Sequence, residues 1–251
     1  MGKILVPRIK RMGKKVAPRI EKEQQDLMMI GPGDYRNVGV GILSRGLQIP
    51  TGREVSYHLR ESYASNDKDI ANSTEAEILR EVLDNTFLWV FNRHTWTPKE
   101  YKNAGVYVVH DPKAVGSSEY EELEDLLSGS TSERGVRFSK NRLVRFAPYG
   151  TFREIRRHKD LTQHGMVIAG YDIDGAENLV EVSKALKKMP RILICNNDSD
   201  YFVDAVASLD SSEDFHSGGL CVDGNNRDGS YGYGFAFGVL PKSAEGTASK
   251  K

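Results

Sequence analysis

Apolar positions in this chain fall into short runs with two different spacings. Thr74-Glu75-Ala76-Glu77 has the capping-box pattern, and Ile78, Leu79, Val82 and Leu83 follow at helical spacing, which predicts a helix. Phe87 to Phe91 is a compact apolar and aromatic run of the kind a buried strand uses, and Val106 to Val109 is another. Thr97-Pro98-Lys99-Glu100 sets proline at a first helical position and predicts a short helix, while Ser118 opens an acidic helix that runs to Leu127. Before these, Gly31-Pro32-Gly33 marks a turn and Val38 to Leu43 is a short apolar stretch.

Ser128-Gly129-Ser130-Thr131-Ser132 separates two periodic regions and reads as a linker over residues 128–133. A hairpin follows. Val136-Arg137-Phe138 and Leu143 to Phe146 flank a turn at Ser139-Lys140-Asn141, and the triplet Val-Arg-Phe occurs on both sides. Met166 to Tyr171 reads as a strand, Ala176 to Lys188 as a helix, Arg191 to Cys195 as a strand and Tyr201 to Leu209 as a helix. This order predicts a βαβα unit with two parallel strands, closed by a hairpin of Leu220–Val222 and Tyr231–Leu240. The predicted fold class is α/β, in the sense of a mixed α+β protein. Its parts are a flexible basic arm (1–25), a mixed lobe (26–127), the linker (128–133), a second lobe (134–241) and a disordered tail (242–251).

Composition changes this picture in one respect. Lys+Arg and Asp+Glu are both 35, yet residues 1–25 hold eight basic residues against Glu21 and Glu23. The arm therefore carries +6 and the remainder −6. Within the arm, Val6-Pro7-Arg8-Ile9-Lys10 is echoed by Ala17-Pro18-Arg19-Ile20-Glu21, and the prolines oppose a long helix. No apolar run approaches the ~20 residues of a membrane-spanning helix, and the N-terminus lacks the apolar core of a secretory signal. Cys195 and Cys221 lie in apolar runs and read as reduced core thiols, so the expected location is the cytoplasm.

Charge also nominates a site. Residues 134–159 contain nine Lys/Arg against one acid, Glu154, with Phe138, Phe146, Tyr149 and Phe152 among them. If the hairpin's phenylalanines face a core, its arginines project from the other face, where they suit phosphates and unpaired bases. The candidate nucleic-acid-binding residues are Arg8, Lys10, Arg11, Lys14, Lys15 and Arg19 in the arm, with Arg137, Lys140, Arg142, Arg145, Arg156 and Arg157 beyond it. No helix-turn-helix or basic-helix signature is present, which favours RNA over DNA. The first reading is thus a non-enzymatic RNA-binding or ribonucleoprotein-associated protein without a cofactor.

A second constellation is acidic. Tyr171-Asp172-Ile173-Asp174-Gly175-Ala176 resembles the first motif of the haloacid-dehalogenase phosphatases. The resemblance implies Asp172 as nucleophile, Asp174 as acid/base, Asn196 or Asn197 at the phosphate, and a Mg²⁺ ion held by Asp172, Asp174 and Asp198. A Mg²⁺-dependent phosphoryl-transfer enzyme is the alternative. A third reading is a structural or protein-interaction module whose arm docks on an acidic protein surface.

Overall fold

The computed structural model describes residues 27–114, 120–195, 197–212, 218–226, 229–230 and 232–241, with the backbone alone at 120 and 121. In chain order its elements are β1 (Leu27–Gly33), α1 (Tyr35–Leu43), α2 (Gly52–Ala64), α3 (Lys68–Ala71), α4 (Thr74–Asn85), β2 (Leu88–Trp96) and β3 (Gly105–His110). There follow α5 (Tyr120–Leu126), β4 (Thr131–Glu133), β5 (Val136–Phe138), β6 (Val144–Pro148), α6 (Gly165–Ala185), β7 (Arg191–Leu193), β8 (Val203–Asp210), β9 (Cys221–Asn226) and β10 (Gly234–Val239). Two 3₁₀ turns, Tyr149–Thr151 and His158–Gln163, lead from β6 into α6. The basic arm and the tail from residue 242 lie outside the described residues.

All the strands join one mostly antiparallel sheet. Its main path runs β4-β5-β6-β3-β2-β8-β9-β7, and β10 branches from the start of β2 to pair with β1. β2 is central because it is apolar on both sides. Leu88, Val90 and Trp96 face a core built with α2, α4 and α6, while Trp89 and Phe91 face a second core built with α1. α5 covers Tyr107, Val144 and Phe146 further along that second face. The mixed α+β class predicted from the sequence is the one observed.

Several elements keep their predicted identity: α4, α5, β3 and the β5–β6 hairpin. α2 starts with a capping box that the sequence reading passed over, in which Thr51 and Glu54 bond each other's backbone amides. Its apolar stripe is only Val55 and Leu59 with small serines between, so helical periodicity is faint.

The βαβα unit does not form. Met166–Tyr171 is helical, and together with residues to Ala185 makes α6. A six-residue apolar run is ambiguous between the two states; here it is buried all round, as the first turns of a helix lodged between α2 and the sheet. Tyr201–Leu209, predicted helical, is strand β8. Its period was two: Val203, Ala205, Ala207 and Leu209 face the α2/α4/α6 core, with Asp204, Val206, Ser208 and Asp210 between them. β9 and β10 do not pair as a closing hairpin, since β9 lies between β8 and β7 and β10 lies beside β1. Residues 97–100 form a turn, and residues 131–133 of the predicted linker form edge strand β4.

Glycine sets how closely α2 and α6 approach. A Cβ on Gly52 would lie 2.2 Å from the Gly170 carbonyl oxygen, whereas one on Gly150 would meet nothing within 4 Å. Gly52→Ala should therefore destabilise the protein by about 1–3 kcal/mol in urea unfolding, because backbone cannot yield cheaply. Gly150→Ala should change stability by less than about 0.5 kcal/mol.

Candidate functional site

The hairpin places its arginines differently from a single basic face. β5 and β6 pair antiparallel with Arg137 opposite Phe146 and Phe138 opposite Arg145. Each Val-Arg-Phe copy thus runs in opposite phase, and its two arginines emerge on opposite sides of the sheet. Arg137 lies over the Phe146 ring at 4.7 Å and donates to Glu124 of α5 at 2.8 Å. Burial opposes ionisation of Glu124, but hydrogen bonds from Arg137 and Tyr107 outweigh it and hold the carboxyl below its ordinary range. Arg145 turns inward beneath α6 and is 3% exposed.

The other basic residues are also largely engaged. Arg142 stacks 4.1 Å from Phe138 and bonds Glu133 at 2.7 Å. Arg156 pairs with Glu154 at 2.6 Å on exposed surface, and the exposed Arg157 reaches the buried Asp160 at 2.9 Å. Lys140 is exposed at the hairpin turn. Arg8, Lys10, Arg11, Lys14, Lys15 and Arg19 fall in the arm, outside the described residues.

The acidic turn is a helix break. Asp172 has φ 62° and ψ 177°, backbone angles that in effect only glycine visits, and it splits α6 into two helical segments. Its carboxylate spans Arg142 at 3.0 Å and the buried Arg145 at 3.5 Å, and Arg145 also donates to the Ala169 carbonyl at 3.0 Å. Burial pulls the Arg145 guanidinium below its usual range, which the charge of Asp172 opposes. Asp174 pairs with Arg53 at 2.6 Å, at the mouth of a cleft of about 1020 Å³ between α2 and α6 that Tyr57, His58, Lys159 and Glu177 also line. Burial depresses His58 there to about 4.

The strand edge that the phosphatase resemblance requires is therefore missing around Asp172 and Asp174. With both Asp172 oxygens on guanidinium groups, these residues do not fit a Mg²⁺ ion. Asp198 belongs to a different loop, where it pairs with Lys99, and Asn196 lies outside the described residues. Among the described residues no group of three His, Cys, Asp or Glu is placed to hold a metal.

A surface that the sequence did not single out forms where β2 ends, β3 begins, β6 ends and β8 begins, since Trp96 pairs with both Val106 and Val203 and Gly105 with Pro148. Three loops meet there: 97–104, 149–157 and the approach to β8 at 197–202. The buried Asn197 ties them by donating to the Trp96 carbonyl at 3.1 Å and the Tyr201 carbonyl at 2.9 Å. Tyr149 stacks on the buried Trp96 ring at 6.2 Å and donates to the Thr97 carbonyl at 2.7 Å. Thr97 closes its own loop through the Gly105 amide and the Asn103 carbonyl. On this base Tyr101 and Phe202 make an edge contact at 5.3 Å, Tyr201 is 67% exposed, and Lys99 bridges to Asp198 at 2.5 Å. The phosphatase resemblance sets Asn196 or Asn197 at a phosphate, whereas Asn197 is a buried loop tie. Nothing in the local spacing signals this surface, because its residues come from three separate connections.

Two carboxylates elsewhere titrate unusually. Asp210 pairs in register with Cys221, and Ser208 with Asp223, which makes Asp210 and Asp223 diagonal neighbours across β8 and β9. Burial and then the charge of Asp223 push Asp210 up to about 7, and burial pushes Asp223 up to about 6.

No protein-family model matches the chain, and no curated protein matches it. Among solved structures it is similar to one from work on the accommodation of massive sequence variation in Nanoarchaeota by the C-type lectin fold. The match has a TM-score of 0.51 at 13% sequence identity and covers 88% of this chain and 100% of that one. At that identity the likeness is one of fold.

Arg145→Met should destabilise the protein by about 3–5 kcal/mol in denaturant unfolding, because Asp172 loses its buried partner. Arg156→Gln, at an exposed and solvent-screened pair, should leave the unfolding midpoint unchanged within error. The folded-state values of Asp210 and Asp223 lie above the unfolded value near 4, so the folded state binds more protons between about pH 4 and 7. Their contribution should make stability fall as pH rises through that window and level off above it. Asp210→Asn should raise stability at pH 8 by on the order of 1–2 kcal/mol relative to its effect at pH 4, measured by thermal melts at both values.

Proposed function

We propose that this chain is a binding module that presents the loop end of its sheet to a protein partner. The observation that carries this reading is the Tyr101–Phe202–Tyr201 cluster, seated on loops that Asn197, Tyr149 and Thr97 pin to the buried Trp96. Tyrosine-rich surface with charged residues around it suits protein recognition, because each ring buries a large area while fixing few rotatable bonds. Rigid support below the rings lowers the entropy lost on docking. The similar structure is one in which the C-type lectin fold accommodates massive sequence variation. A scaffold of that kind supports placing recognition in its loops rather than its core.

A second reading keeps nucleic acid, with RNA preferred, as the partner. Its support is the +6 charge of residues 1–25 against −6 in the remainder. Arg137, Arg142, Arg156 and Arg157 would contribute only by exchanging Glu124, Glu133, Glu154 or Asp160 for phosphate.

A Tyr101→Ala/Tyr201→Ala double variant and a chain lacking residues 1–25 separate the two. Probed on a protein array, the full chain should find partners whose affinity falls at least about tenfold in the double variant, as for loss of an interface anchor (~1.4 kcal/mol or more). Such binding should survive excess single-stranded RNA. Under the second reading, RNA binding at low salt is lost with the arm, and the slope of log affinity against log salt falls by about 0.7 per lost phosphate contact. An array with no partner sensitive to the double variant defeats the first reading; no RNA affinity at low salt defeats the second.

A further inference from the structure

The break in α6 lies over a polar patch of the sheet. Asn92, His110 and Arg145 come from the adjacent strands β2, β3 and β6; the ladders set Asn92 opposite His110 and Arg145 opposite Val108, two residues before His110 on the same side. All three side chains therefore share the face that α6 covers. Asn92 is fully buried, and His110 is 6% exposed. Asn92 Nδ2 donates to the Gly170 carbonyl at 2.7 Å and Arg145 to the neighbouring Ala169 carbonyl, so the sheet caps the broken end of the first helical segment. α2 closes the other side, with Gly52 so near that a Cβ there would lie 2.9 Å from Asn92 Nδ2.

After these bonds are counted, Asn92 Oδ1, His110 Nδ1 and Arg145 Nε are buried without a hydrogen-bond partner among the described residues. The Phe91 carbonyl lies beside the imidazole and favours its protonated form, an effect that burial outweighs. Three such atoms on three neighbouring strands are a costly arrangement for a sheet to keep, and they lie beneath the one glycine-like backbone conformation in α6. Their chemistry is complementary to one small molecule. Arg145 Nε–H only donates and Asn92 Oδ1 only accepts. His110 is held neutral by burial and by the nearby Arg145 charge, and with its proton on Nε2 it accepts at Nδ1.

We propose that one internal water molecule is bound between Asn92, His110 and Arg145 as a fixed part of the α6 break. It accepts from Arg145 Nε and donates to Asn92 Oδ1 and His110 Nδ1, the three bonds usual for a buried water. A neutral occupant fits better than an ion, because Arg142 and Arg145 are balanced by Asp172 and Glu133. The water joins three strands to the helix at the point where the helix's own hydrogen-bond ladder is interrupted, and so helps hold Asp172 in its unfavourable backbone angles.

A crystal structure of the full chain at a resolution that shows ordered water tests this directly. The expected result is a single peak within about 2.6–3.2 Å of Asn92 Oδ1, His110 Nδ1 and Arg145 Nε. In solution, water should give a nuclear Overhauser effect to the Asn92 side-chain amide and to Arg145 Nε–H, and His110→Phe should abolish it. The proposal is overturned if the site is dry with the three side chains in place, or if they rotate to bond one another. It is also overturned if the solution signal persists unchanged in His110→Phe. Should that variant fail to fold, the crystal structure of the unsubstituted chain decides alone.

Discussion

Helix α6 has to be buried along its first turns and yet leave the sheet's polar row satisfied, and the rest of the molecule is arranged around that demand. Met166 to Tyr171 is apolar on every side, so it can lie only between α2 and the sheet. Beneath it, Asn92 and Arg145 need acceptors. An unbroken helix offers none, because its carbonyls are used internally. Breaking the helix at Asp172 frees the Ala169 and Gly170 carbonyls for those donors and turns the Asp172 carboxylate towards two guanidinium groups. The unfavourable backbone at Asp172 is sustained by four polar contacts that no regular helix would make.

That arrangement also explains where the basic charge of the hairpin goes. Antiparallel pairing of two Val-Arg-Phe copies sets each arginine beside a phenylalanine of the neighbouring strand and directs the two arginines to opposite faces. One joins the α6 break. The other meets the acidic helix α5, which lies over Tyr107 and Phe146 and brings Glu124 within reach. The same run of residues that reads as a phosphate-binding face along the chain is thus divided between two layers of structure.

With these charges spent internally, the loop end of the sheet is where exposed aromatic side chains and rigid support coincide. Trp96 is buried at the last residue of β2, and three connections are anchored to it or to its neighbours. The connections carry both the surface rings and side chains that pack beneath them, Tyr149, Phe152 and Ile155 among the latter.

What the sequence determined by itself was local. The start of α4 was legible to within one residue, although its N-cap is Ser73, which accepts from the Ala76 amide, and the Thr74–Glu77 capping box does not form. The hairpin's turn and alternation lie close together in the chain and were legible too. The mixed class followed from the same signals. The identity of Met166–Tyr171 was decided by tertiary structure, whereas the period-two alternation that makes Val203–Asp210 a strand is present in the sequence. A short apolar run suits a buried helix or a buried strand equally, and the choice depends on what covers it. The charge of the arm could be counted in the sequence, whereas the pairing of Arg137 with Glu124 and of Arg145 with Asp172 could not. Each joins residues from different elements through ladder registers that no local spacing encodes. The loop surface around Tyr101, Tyr201 and Phe202 exists only because the ends of four strands are brought level, and that levelling is a property of the sheet.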